Sequence, residues 1–468
     1  MACCRAMTKQ DAPAELNLDL FGERAEQAPE EIEDGKARVQ TPDRRQVELR
    51  AVDLESLLEP DHRARFVWGY VERQDLSALY DKIKARGSAP GRRAIDPKIL
   101  FALWLYATLE GVGSGREINR LCQEHDAYRW ICGGVTVNYH AVNDFRSNNE
   151  KLLDELLSKN VAVLASIGVI TLKQVAQDGV RVRASAGASS LKRRERLGKH
   201  LRLAQQLVAQ LKERAAEDPG EASRKALAAR ERAAREMQRR IELALAQMPE
   251  AEETLARNRR DPKDARVSTT DAQARRMKMA DGGFRPAYNV QYAVDCDSQV
   301  VVGVDVVNTG ADQQQMAPMV EQVEKRVGRA PEHWLVDGGF VSHEQINAVA
   351  NKTTVLAPVP EAKPRKTNKD DDNRTPPPPG SEFEPRKGDS QAVKAWRQRM
   401  SQEDAKALYR KRAATIECVN AQARNRGLQQ FRVRGQLKAR AVALLHALAH
   451  NVMRMMTLAP TELGAAMA

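Results

Sequence analysis

The sequence predicts an α/β protein: a mixed sheet interrupted by an inserted helical hairpin and preceded by an all-helical segment. Three observations predict it. Apolar residues recur at helical spacing from Leu54 to about Ile167. At Gln174 the period changes, and Val175, Gln177, Gly179, Arg181 and Arg183 alternate with Ala176, Asp178, Val180, Val182 and Ala184 as in a strand. Beyond that point the order of segments is strand, hairpin, helix, strand, helix, strand, which builds a mixed sheet.

Residues 1–50 are polar, contain proline and show no periodicity, so they are expected to form a disordered arm. A helical domain is expected over 51–168. Its stripe includes Leu100, Leu103, Trp104, Tyr106 and Ala107, its breaks fall at Gly87 to Gly91 and Gly111 to Gly115, and a long closing helix carries Leu152, Leu153, Leu156, Leu157, Val161 and Leu164.

The second domain is expected over 169–458. After its first strand, an antiparallel hairpin of two helices is expected at about 190–257: the first carries Leu197, Leu201, Ala204, Val208 and Leu211, the second Leu227, Ala234, Ile241 and Met248 seven residues apart, with a break at Asp218, Pro219 and Gly220. Its other faces are dense in Arg and Lys, which suits either a solvated surface or an arm that meets DNA or a second protomer. Strands follow at Asn289 to Val294 and Val300 to Val307, then a helix from about Asp312 to Val327. A strand at His333 to Val336 ends in Asp337, Gly338 and Gly339. It is followed by a helix over Ser342 to Ala350 and a strand over Thr353 to Val359. A flexible Pro-rich excursion is expected at about 361–400, then a helix from Glu403 to Arg426, a last helix from Ala439 to Met456 with a buried stripe, and a tail over 459–468.

Composition narrows the function. With 42% hydrophobic and 29% charged residues the 468-residue chain is not disordered as a whole. Only 4% aromatics argue against a β-sandwich or an aromatic-lined single-strand binder. A net charge of +12 agrees with attraction to nucleic acid without requiring it. The most apolar stretch, Ala441 to Met456, is too short to span a bilayer and is interrupted by His446, His450, Asn451 and Arg454, so no membrane contact is expected. No signal-like apolar run follows Met1, so a cytoplasmic, nucleoid-associated protein is expected. The six cysteines lack CxxC spacing and read as reduced thiols.

Three acidic residues stand where metal-dependent phosphoryl transfer needs them: Asp178 within the first strand, Asp337 at the end of another, and Glu417 inside a basic helix. Each alone reads equally as a turn residue or an ion-pair partner. Together they offer the hard oxygen donors that two divalent metals about 3.5–4 Å apart demand. On a helical period Glu417 shares a face with Asn420 and Arg424, one repeat after Arg410.

Those residues resemble a known family. Gln177-Asp178-Gly179, Leu335-Val336-Asp337-Gly338-Gly339-Phe340 and the run from Tyr409-Arg410-Lys411-Arg412 to Ile416-Glu417 are similar to the three acidic motifs of DDE transposases of bacterial insertion sequences. Residues 51–150, with Asp61-His62-Arg63, Gly91-Arg92-Arg93 and Gly113-Ser114-Gly115-Arg116-Glu117, resemble the InsH-type N-terminal domain of that group. Ser268-Thr269-Thr270-Asp271, Met277-Lys278 and Tyr288-Asn289-Val290-Gln291 resemble its next strands. Cys418 and Asn420 stand where many relatives have Pro and Phe, and Arg424 stands at a Lys position.

The resemblance implies an RNase H-like fold in which Asp178, Asp337 and Glu417 bind two Mg²⁺ or Mn²⁺ ions and catalyse cleavage of double-stranded DNA at terminal inverted repeats, then strand transfer of the 3′-OH to target DNA. It implies phosphate contacts from Tyr409, Arg410, Arg412 and Arg424, terminal-repeat recognition by the N-terminal domain through Arg116 and Arg146, a contribution from Lys278, and a homo-oligomer on DNA; Asp271 and Asn289 read as structural. Two alternatives remain at this point: a catalytically silent DNA-binding descendant of a transposase, and a metal-dependent nuclease without strand transfer.

Overall fold

The computed structural model describes residues 53–86, 93–217, 221–361 and 378–458, together with Arg45 and the pairs 365–366 and 374–375. The expected arm, except Arg45, and the expected tail lie outside the described residues, as do the glycine break at 87–91 and the Asp218-Pro219-Gly220 break. The chain divides into two units, Met1–Ala51 and Val52–Ala468, and the second carries every helix and strand that follows.

The stretch with the helical period is helical. Helix α1 spans Arg63–Glu72 and the short α2 Ser77–Tyr80. In α3, Pro97–Leu109, the Asp96 side chain caps the Lys98 N–H and Pro97 takes the first position, where a missing N–H costs nothing. All of α3 except Lys98 is buried, so it is the hub of this part of the molecule. Around it lie α4, Gly115–Glu124, capped by Ser114; α5, Asp126–Cys132; α6, Tyr139–Asn148, capped by Asn138; and α7, Glu150–Ser166.

Strand β1, Gln174–Arg183, opens the sheet. A two-residue strand β2, Leu191–Lys192, leads into helices α8, Arg194–Glu217, α9, Glu221–Ala246, and α10, Met248–Arg257. The heptad spacing is used as the sequence suggests: Val208 and Leu211 pack with Ala234, and Leu197 and Ala204 with Ile241 and Met248. Strand β3, Val267–Ser268, pairs with β2 and closes the insertion before β4, Arg275–Lys278.

The remaining elements are β5, Phe284–Asp295; β6, Val301–Val307; α11, Met316–Val327; β7, His333–Leu335; α12, His343–Val349; β8, Thr354–Leu356; α13, Gln391–Ser401; α14, Glu403–Asn425; and α15, Gln436–Leu458. The six-stranded sheet is mixed. Strands β1, β7 and β8 run parallel, while β5 lies antiparallel to β1 along its other edge. The far edge of β5 pairs first with β4 and then with β6, both antiparallel.

One expectation needs correction. The far end of the excursion expected at about 361–400 is helix α13, capped by Ser390 and packed through buried Val393, Trp396 and Met400. Trp396 Nε1 donates to the Ala357 carbonyl at 3.1 Å, and Arg397 pairs with buried Asp389 at 2.9 Å. The proline-rich composition ends before this segment, whose helical stripe was absorbed into it.

Helix α15 joins the two halves of the molecule. Buried Asn451 accepts from the Val301 N–H at 2.8 Å and donates to the Val301 carbonyl at 2.9 Å and to Asn160 Oδ1 on α7 at 3.1 Å. Its Leu444, Leu445 and Leu448 belong, with the leucines of α3 and α7, to the same hydrophobic cluster as β1, β5 and β6. Among the described residues no helix is long and apolar enough to cross a membrane. Cys122, Cys132, Cys296 and Cys418 are free thiols.

Candidate active site

The parallel register of β1 and β7 builds the site. Ala176 pairs with Leu335, so Asp178 and Asp337, each two residues further on, leave neighbouring strands at the same level. Asp337 lies just past the end of β7, where its Oδ1 accepts the Gly339 N–H at 2.8 Å and fixes the turn that the Asp-Gly-Gly sequence suggests. Helix α14 crosses above them. Its Arg412 Nη2 lies 3.2 Å from Asp178 Oδ1 and 3.7 Å from Asp337 Oδ2, so one guanidinium serves both carboxylates. Asn420, two turns later on the same face, donates from Nδ2 to Asp178 Oδ2 at 3.0 Å.

Asp178 is well covered, with a fifth of its side chain exposed, while Asp337 keeps 43%. Burial pushes the Asp178 carboxyl up to about 6; Arg412 and the Gly179 N–H oppose the rise, and the like charges of Asp337 and Asp312 add to it. Tyr409, half-buried one turn before Arg412, has its phenol raised by burial, and the Arg412 guanidinium opposes the rise.

Asp312 is a member of the site that sequence reading missed. It sits before α11, where its Oδ1 accepts from Asn289 Nδ2 at 2.8 Å and Gln291 Nε2 at 2.7 Å on β5. It presses against Gly179: a Cβ there would lie 2.2 Å from Asp312 Oδ1 and 2.4 Å from Gln291 Nε2. The signal that might have found it is the glycine directly after Asp178 in an otherwise side-chain-bearing strand.

Glu417 is not gathered with the aspartates. It is exposed on α14, and among the described residues no group of three His, Cys, Asp or Glu side chains is poised around a metal position. The face it was expected to share with Asn420 and Arg424 is split: Asn420 is buried against Asp178, whereas Glu417 and Arg424 are exposed. The buried face runs through Arg412, Ile416 and Asn420, four residues apart.

The cations separate into groups. Tyr409 and Arg412 stand at the aspartates; Arg410 is exposed and lies 3.5 Å from Glu403. Lys278, exposed at the end of β4, offers its carbonyl to Arg181 Nη1 at 3.1 Å. Arg116, Arg146 and Arg424, distant in sequence, line a single cleft elsewhere in this unit. Asp271 is buried, accepting from the Tyr288 hydroxyl at 2.7 Å and from the Gly435 N–H at 3.2 Å.

Comparison with known families matches two parts of the chain. The model of the transposase DDE domain matches residues 260–452, and that of a transposase domain (DUF772) matches residues 52–148. Neither the curated proteins nor the solved structures compared with it include a match. DDE transposases act on DNA and generally depend on a divalent metal. Asp178 precedes the first matched segment and is tied to it by the register of β1 on β7. Asp337 and Glu417 fall inside that segment and the helices bearing Arg116 and Arg146 inside the second, so both halves of the chain share one parentage: it belongs to the DDE transposases of insertion sequences.

Proposed function

We propose that this protein binds the terminal inverted repeats of its element, cleaves DNA at the ends and joins the freed 3′-OH to target DNA. The observation that carries the reading is the convergence of Asp178 and Asp337, from adjacent parallel strands, on one guanidinium. A mixed sheet in which long β5 runs antiparallel to β1, while β1 carries Asp178 within it and parallel β7 leads into Asp337, supports an RNase H-like fold.

The donor set suits a hard divalent cation. Two carboxylates already share one positive charge, and Asn420 Oδ1 is buried beside them without a partner. Asp178 and Asp337, joined by Glu417 through its place in the motif, would hold two Mg²⁺ or Mn²⁺ ions. Bound there, the metals supply positive charge at the attacking and leaving oxygens of an in-line displacement.

The chain's own residues prepare the ground. Arg412 offsets the repulsion between Asp178 and Asp337 before DNA arrives, and its buried Nε, which has no partner, leaves a donor free for a phosphate oxygen. Asn420 fixes the orientation of Asp178 through Oδ2. Asp312 holds the Asn289 and Gln291 amides of β5 against Gly179, filling the space beside β1 next to Asp178.

The test is divalent-dependent cleavage of a supercoiled donor plasmid carrying the element's ends, followed by strand transfer to a second plasmid. Asp178→Asn, Asp337→Asn and Glu417→Gln should each abolish cleavage and leave DNA binding largely intact. Full activity in any one variant removes that residue from the site, and cleavage without joining reduces the protein to a nuclease.

A further inference from the structure

The cleft that gathers Arg116, Arg146 and Arg424 also receives Arg183 from the end of β1 and Arg432 from the segment before α15, in a volume of about 750 Å³. Five guanidinium groups line it, and among the described residues no carboxylate does. None of Arg116, Arg183, Arg424 and Arg432 forms an ion pair among the described residues. Two acids feel the charge of these arginines, Glu117 that of Arg432 and Asp281 that of Arg183, and both are already paired, with Arg120 and Arg285 respectively.

Arg146 is the strongest sign that this charge is kept for a ligand. It is 5% exposed, lies over the Trp104 ring at 4.1 Å, and donates to the Gly113 carbonyl at 3.0 Å and Asn143 Oδ1 at 3.4 Å. Its Nε is buried without any partner. Burial and the proximity of Arg432 together pull its pKa down to about 10, the direction expected of a cation that lacks a counterion. The first turn of α4 adds unpaired N–H groups at Gly115 and Arg116. A protein that crowds like charges into a concavity and omits the acids has left their neutralisation to an anion.

We propose that this cleft clamps the phosphodiester backbone of the bound DNA at a fixed distance from the carboxylate pair, a deepening that rests on the DNA-processing reading above. Two elements give its offset along their own axes, although Arg183 and Arg424 leave them on other faces than Asp178 and Arg412 do. Along β1, Arg183 follows Asp178 by five residues, ~17 Å at the strand rise. Along α14, Arg424 follows Arg412 by twelve residues, ~18 Å at the helix rise. A duplex strand carries one phosphate per ~3.4 Å of axis, so for DNA running along these elements the clamp holds the backbone about five nucleotides from the carboxylate pair. A single phosphate ion, with ~2 negative charges, leaves most of the five arginines unneutralised, whereas a run of phosphodiesters matches them.

The experiment is a salt titration of full-chain binding to a fluorescent duplex of random sequence, in chelator so that no cleavage intervenes. Arg116→Gln/Arg432→Gln, both at exposed positions, should weaken binding and flatten the slope of log K against log salt by about 1.8, or ~0.9 per lost phosphate contact. Arg129→Gln, in the middle of α5, paired with Asp126 and not part of the cleft lining, should keep the parent slope. An unchanged slope in the double variant, or an equal loss in Arg129→Gln, overturns the proposal. A parallel thermal-shift series with inorganic phosphate separates the sources: stabilisation of the parent but not the double variant, with the DNA slope unchanged, makes this a small-anion site and overturns the DNA clamp. Loss of slope with no cleavage by the parent itself leaves the clamp standing and removes the enzymatic reading instead.

Discussion

Replacing Asp178 with Asn should make the protein more stable than the parent at neutral pH and no better off in acid. Burial holds the Asp178 carboxyl at about 6, against 3.8 for the ordinary group. Below about pH 4 the carboxyl is protonated in both folded and unfolded chains and resembles the amide. Between 4 and 6 the folded state binds more protons than the unfolded state, so parent stability falls as pH rises. A shift of ~2 pH units at ~1.4 kcal/mol each gives a total loss of about 3 kcal/mol, complete above pH 6. The asparagine variant lacks this loss, and groups elsewhere cancel in the difference.

Urea unfolding of both proteins in chelator, from pH 4.5 to 8, measures it. Trp334, which donates to Gln177 Oε1 at 3.1 Å one residue from Asp178, is a local fluorescence probe. The stability difference should grow toward the variant as pH rises through 6 and then level off. A difference independent of pH, or one that shifts toward the parent, would refute the claim that Asp178 is a desolvated carboxylate.

Two further outcomes follow from the packing. Gly179→Ala should cost about 1–3 kcal/mol by driving Asp312 from the Asn289 and Gln291 amides, and denaturant stability equal to the parent would show that Asp312 does not occupy that space. Asn451→Ala should cost about 2–4 kcal/mol, since it strips the Val301 N–H and carbonyl of their buried partner; a change in unfolding free energy below ~0.5 kcal/mol would refute that account.

What was legible in the sequence was what a local period encodes. The helical stripe from Leu54 to Ile167, the change of period at Gln174 and the heptads of α8 and α9 each depend on residues a few positions apart, and all reappear as elements. Asp337 was readable because Asp-Gly-Gly after a short apolar run marks a strand end. The choice between Glu417 and the Arg412 to Asn420 face was not, because both are consistent with one helix and only the docking of α14 on β1 selects the buried side. Asp312 lies in a connection without periodicity. Arg183 and Arg432 became partners of Arg116 only through the tertiary approach of segments hundreds of residues apart.

Helix α15 has a consequence for how the protein comes into being. The leucine-rich helices α3 and α7 leave the ribosome early, yet part of their apolar surface is met only by a helix translated near the end, which also supplies the amide that Val301 needs. The early helices therefore cannot reach their final packing during synthesis and must wait, partly uncovered, for residues 436–458. A message cut short upstream of that point yields chains with open apolar faces, suited to removal by quality control.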